Sequence, residues 1–101
     1  MNLYTFIMDY KGGTYISQAE AADEQEAMIR WIENLETSEI KGFSKSDKRK
    51  IIKIGFSDDD KAIQITGMQN VWYFNVRTKK GFAGINIIKT DKEDKTGFEL
   101  V

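Results

Sequence analysis

The chain has 101 residues, 15 of them basic and 16 acidic, and neither His nor Cys. That length holds one domain and buries a core without covalent staples. The missing residue types exclude disulfides, thiol nucleophiles, imidazole bases and His- or Cys-ligated zinc or iron sites.

Two Trp, four Tyr and six Phe are ample for a core, so the composition is that of a globular chain. A net charge of −1 specifies neither a polyanion nor a polycation as partner. The apolar stretch Leu3 to Met8 has no basic flank, contains Thr5 and runs directly into Asp9. It is shorter than the ~7–15 apolar residues of a secretory signal, and no run approaches the ~20 of a membrane span. The expected location is therefore cytoplasmic. Proline is absent, which leaves the turns to Gly, Asn, Asp and Ser.

Leu3 to Met8 is rich in β-branched and aromatic residues and predicts a strand. Lys11-Gly12-Gly13 supplies positive φ for a tight turn, and Thr14 to Ala19 returns as the second strand. Asp23 with Glu26 three residues on makes a capping-box pattern. Ala27, Met28, Trp31, Ile32 and Leu35 then fall on one helical face, and Glu24 and Glu26 favour the first turn; the spacing predicts a helix over 23–35.

The middle is ambiguous between a strand at 51–56 and a short helix at 46–54 capped by Ser44 or Ser46. The helix is favoured, because polar residues fill its first turn and Gly55 stands where a C-terminal glycine is wanted. Ala62 to Thr66 reads as a short strand and Asn70 to Thr78 as the longest one. Lys79-Lys80-Gly81 reads as a second tight turn and Phe82 to Thr90 as its returning strand. Residues 91–101 read as a charged, fraying tail that Phe98, Leu100 and Val101 would dock. The expected fold is a single α+β domain over 1–101. It has an antiparallel sheet of about five strands, with one long and one short helix packed on one face in the order ββα(α)βββ.

Charge is segregated along the chain. Residues 1–40 hold two basic residues against eight acidic ones, and residues 41–53 hold six basic ones against Asp47 alone. Such blocks are ordinarily solvated faces, and they also form a dipolar surface that steers a charged partner.

Several fragments resemble known signatures. Lys80 to Ile87 resembles the first signature of the RNA recognition motif at Lys80, Gly81, Phe82, Ala83 and Ile85. It departs at Gly84 and Ile87, where that family carries aromatics, and a ββα opening is not the family's βαββαβ order. An ordinary hairpin explains the same letters. Ser38 to Lys41 spells S-x-x-K and Lys95-Thr96-Gly97 spells K-T-G, as in serine β-lactamases, but the S-D-N element is missing and those folds are far larger. Asp58-Asp59-Asp60 lacks the spacing of a calcium loop and reads as a solvated turn. Asp9 and Glu33 form no acid pair at a useful spacing. No catalytic residue, cofactor or metal ligand is assigned.

The candidate site lies on the Asn70–Thr78 strand. Trp72, Phe74 and Val76 share one face, read as core, while Tyr73, Asn75 and Arg77 share the other. Tyr73 and Arg77, read as side by side, together with Lys79 and Lys80 at the turn, form the expected partner-binding surface, since Tyr and Arg are enriched at interface hot spots. The function expected is a small non-catalytic protein-binding module: an inhibitor, an adaptor or a toxin-neutralising, immunity-type protein. The partner is a protein; a membrane role is not expected, and nucleic acid is the weaker expectation. One alternative is a single-strand nucleic-acid binder using Tyr73, Phe82, Lys79 and Lys80, with the 41–53 block on the backbone. The other is a homo-oligomeric structural protein that pairs through an edge strand.

Overall fold

β-Branched and aromatic residues with alternate burial build the first strand, and a tight turn closes the first hairpin. The computed structural model describes residues 1–56 and 60–90. β1 (Asn2–Tyr10) and β2 (Gly13–Ala21) pair antiparallel from Asn2↔Ala21 to Tyr10↔Gly13. The turn is two residues long: Lys11 and Gly12 take φ of 51° and 79°, the positive values a hairpin turn needs, while Gly13 already belongs to the strand. Tyr4, Phe6, Met8 and Tyr10 point inward and are buried.

α1 (Glu24–Asn34) starts where its capping residues dictate. The Asp23 carboxylate accepts the Glu26 N–H at 2.8 Å, and Glu26 accepts the Ala22 N–H at 3.1 Å. The helix buries Ala27, Met28, Trp31 and Ile32, and Leu35 is its C-cap. Trp31 stacks on Phe6 at 6.0 Å between ring centroids and meets Phe74 edge-on at 5.4 Å. Burying each such large side chain contributes about 1.5–3 kcal/mol. A single 3₁₀ turn, Thr37–Glu39, follows.

The ambiguous middle is helical. α2 (Lys45–Ile54) is capped by Ser44 in a reciprocal box with Asp47 and ends at Gly55, whose φ of 73° stops the helix. It buries little apolar surface: Ile51 is half-buried, while Ile52 and Ile54 are exposed. The Lys48 ammonium donates to the Leu35 carbonyl at 2.9 Å, tying α2 to the end of α1.

The remaining strands among the described residues are β3 (Ile63–Gln64), β4 (Val71–Thr78) and β5 (Gly81–Thr90). β3 is shorter than the expected Ala62–Thr66, because the chain turns at once: Met68 N–H bonds the Ile65 carbonyl, and Gly67 and Asn70 take φ of 81° and 62°. The β4–β5 turn is Lys79–Lys80, with Gly81 already in β5. All pairings are antiparallel, in the order β2-β1-β5-β4-β3. Both helices lie on one face, as expected for the α+β reading. Residues 91–101, and with them Phe98, Leu100, Val101 and the K-T-G fragment, lie outside the described residues, as do Asp58 and Asp59. No helix among the described residues is long and apolar enough to cross a membrane.

Candidate protein-binding surface

Helices on one side leave the other side of the sheet uncovered among the described residues. Register assembles that outer face in rows. One row runs Ile16, Ile7, Asn86, Tyr73, Ile63 across all five strands. Ile16 and Ile63 are 67% and 68% exposed at its two ends, and Tyr73 is 42% exposed between them.

Tyr73 and Arg77 do lie on this face, and Trp72, Phe74 and Val76 on the other, where Trp72 is half-buried and the other two are buried. The expectation that Tyr73 and Arg77 sit side by side is corrected. Asn75 stands between them, and four residues at ~3.4 Å each separate their backbones by roughly 14 Å. Each side chain instead rests on β5. The Tyr73 ring covers Gly84: a Cβ there would come within 2.9 Å of the Tyr73 hydroxyl. The Arg77 guanidinium lies over the Phe82 ring, 4.2 Å from its centroid, and Phe82 is its cross-strand partner. At an exposed site such a contact is worth about 0.5–1 kcal/mol, and it holds the guanidinium in place before any partner arrives.

Lys79 and Lys80 occupy the turn beside Arg77, and a buried polar network holds that turn. The Asp47 carboxylate accepts the Lys79 N–H at 3.2 Å through Oδ1, and the Ser44 N–H and hydroxyl at 3.1 and 2.9 Å through Oδ2. The Thr78 hydroxyl accepts the Lys80 N–H at 3.2 Å and lies 2.6 Å from the Tyr10 hydroxyl, which donates to the Gly42 carbonyl at 2.7 Å. Burial acts to raise the Asp47 carboxyl, but the Ser44 and Lys79 hydrogen bonds and the Lys79 charge outweigh it and hold it below the usual carboxylate range. Asp47 therefore joins the N-terminus of α2 to the β4–β5 turn. Its position in a basic block hid this role in the sequence; the signal was its place three residues after Ser44.

Among the described residues β3 pairs with Trp72 and Tyr73, which leaves residues 75–78 of β4 as an edge without a strand partner. Between that edge and α2 runs a groove of about 500 Å³, its apolar wall Ile51, Ile54, Phe56 and Val76, its cations Lys50, Arg77 and Lys79, with Asp60 also on it. Lys11 reaches the same end of the sheet, its ammonium 3.4 Å from where a Gly81 Cβ would stand. The 41–53 block and the hairpin lysines thus meet in space. Among the described residues no group of three or more acidic side chains converges as a metal site would require. Compared with known proteins, the chain matches no family model, no curated protein and no solved structure.

Proposed function

We propose that the chain is a non-catalytic protein-binding module whose partner docks on the outer sheet face at its β4–β5 end, through Tyr73, Arg77, Lys79, Lys80 and the adjoining Phe82. The observation that carries the reading is the sheet face left uncovered among the described residues. It combines half-exposed apolar side chains with an arginine fixed on an aromatic ring, the residue types that dominate interface hot spots. The cations around it favour a partner surface bearing carboxylates. The Asp47 carboxyl is engaged in holding a helix cap and a turn, and this reading gives it no catalytic role.

The test compares tagged chains in lysate of the source cells, washed at moderate salt. A stoichiometric protein captured by the wild type and by Arg30→Ala, but lost with Tyr73→Ala/Arg77→Ala, supports the reading. The melting temperature of the double variant should stay within about 8 °C of wild type, the effect of ~1 kcal/mol in a domain of this size. Retention of the partner by that variant refutes the surface. Nucleic acid in the eluate without a protein partner would favour the single-strand alternative instead, with affinity falling steeply with salt.

A further inference from the structure

The opposite edge of the sheet carries a second feature. Among the described residues β2 is the terminal strand; it is nine residues long, contains neither Pro nor Lys, and carries Glu20 as its one charged residue. In an antiparallel hairpin with a two-residue turn, the pair flanking the turn exchanges both hydrogen bonds and the pattern then alternates. Tyr10↔Gly13, Met8↔Tyr15 and Phe6↔Ser17 are then the bonded pairs. Thr14, Ile16 and Gln18 direct their backbone N–H and C=O groups away from β1.

Beside this edge the helical layer stops short. α1 covers Ala19 and Ala21, but it ends at Asn34, and the chain leaves through the 3₁₀ turn. The inward-facing Tyr15 is only half-buried and Ser17 is exposed. They form, with Trp31, Leu35 and Ile40, a groove of about 440 Å³, within the size range of sites that hold a ligand group. Residues from both faces of β2 line it, including Ile16 and Gln18, so the groove runs over the edge of the strand. Among the described residues its charged lining side chains are Glu36 and Glu39, both exposed, and none of its lining is basic.

We propose that β2 accepts an extended segment of a partner protein as a sixth strand, with an apolar side chain seated in the groove and Lys or Arg on either side of it facing Glu36 and Glu39. Strand addition supplies backbone hydrogen bonds for affinity, and alternate side chains facing the groove supply selectivity. Charge decides the occupant. A second copy pairing through its own β2 would bring another Glu36 and Glu39 to the same edge. The chain's own 91–101 segment carries four acidic residues against two lysines, the same sign as the groove. A basic strand complements it. The site lies three strands from β4, roughly 14 Å, and is independent of the Tyr73 and Arg77 surface.

The experiment uses the full chain and a blocked heptapeptide, Thr-Lys-Thr-Ile-Thr-Lys-Thr, followed by fluorescence anisotropy and by amide shifts at low salt. Saturable binding is expected, with the shifts concentrated at Thr14, Ile16 and Gln18. Glu in place of both peptide lysines should weaken binding about tenfold or more, the effect of turning two surface attractions into repulsions. Glu36→Lys/Glu39→Lys should reverse that preference without moving the melting temperature. N-methylating one alternate set of peptide amides should abolish binding, while methylating the other set should spare it. Capture of the partner that depends on Tyr73 and Arg77 should be unaffected, which separates failure here from failure there. Equal binding of the Lys and Glu peptides, shifts centred on β4, or no saturation by about 1 mM peptide would overturn the proposal. So would dimerisation of the free chain that Ile16→Lys abolishes, which would assign the edge to a second copy.

Discussion

Replacing Asp47 by Ala removes the acceptor for three hydrogen bonds, two from Ser44 and one from the Lys79 backbone. A hydrogen bond to a charged group contributes about 1.5–3 kcal/mol, but these three share one carboxylate, and the exposed Ser44 donors can turn to water. The expected loss is therefore about 2–4 kcal/mol, well below the simple sum. In a domain of this size that lowers the melting temperature by on the order of 10–25 °C. Urea unfolding followed by circular dichroism and by Trp fluorescence measures it. Ser44→Ala alone should cost about 1 kcal/mol, because its hydroxyl also accepts the Asp47 N–H at 3.0 Å. The double variant should lose less than the two singles together, with a coupling of at least ~0.5 kcal/mol. The pH dependence has a fixed sign. The folded carboxyl titrates below its unfolded value of ~3.9, so its stabilisation is fully present above that value and is lost as pH falls through the lower folded one. The gap between wild type and Asp47→Asn should accordingly be constant near neutrality and shrink below about pH 4. A loss under about 0.5 kcal/mol for Asp47→Ala, or strict additivity with Ser44→Ala, would refute the link between the helix cap and the turn.

Trp31→Ala should cost about 3–5 kcal/mol, since the ring is 3% exposed and packed on Phe6 and Phe74; a loss below about 1 kcal/mol in the same urea titration would mean α1 does not pack on the sheet through that face. Tyr10→Phe should cost about 1–2 kcal/mol, because it strips a partner from both Thr78 and Gly42. Hydrogen exchange should show the Lys79 and Lys80 amides opening faster in that variant, and unchanged exchange would place the turn's support elsewhere.

The elements that could be read from sequence were those specified by near neighbours. The β-branched and aromatic residues of Leu3–Met8 and the Lys11-Gly12-Gly13 turn announced the first hairpin, and Asp23 with Glu26 announced α1. For α2, periodicity was no guide, since Ile51, Ile52 and Ile54 suit a strand as well as a helix; the decision lay in Ser44, Asp47 and the positive φ at Gly55. What was not legible was non-local. The place of β5 between β1 and β4 is a pairing across some eighty residues of chain, and no local pattern encodes it. The same holds for the site. Alternation sorted Tyr73 and Arg77 onto the outer face, but it says nothing of what lies across the ladder. Gly84 under Tyr73 and Phe82 under Arg77 follow only from the β4–β5 register.

Charge shows how a one-dimensional pattern becomes a surface. The acidic 1–40 segment builds β2, α1 and the 3₁₀ turn at one edge of the sheet. The basic 41–53 segment builds α2, which Asp47 fastens to the β4–β5 turn near the other. Blocks segregated in sequence are thereby segregated across the strands. The two basic residues of 1–40 do not blur this. Arg30 is 3.7 Å from Glu26 on its own helix, and Lys11 extends over Gly81 to join the cations at the turn end. Neither lines the groove at β2. The two surfaces therefore present opposite signs to solvent while the chain as a whole stays near neutral. If both proposed surfaces bind partners, a partner of either charge would be steered to one and turned away from the other, and added salt would weaken both.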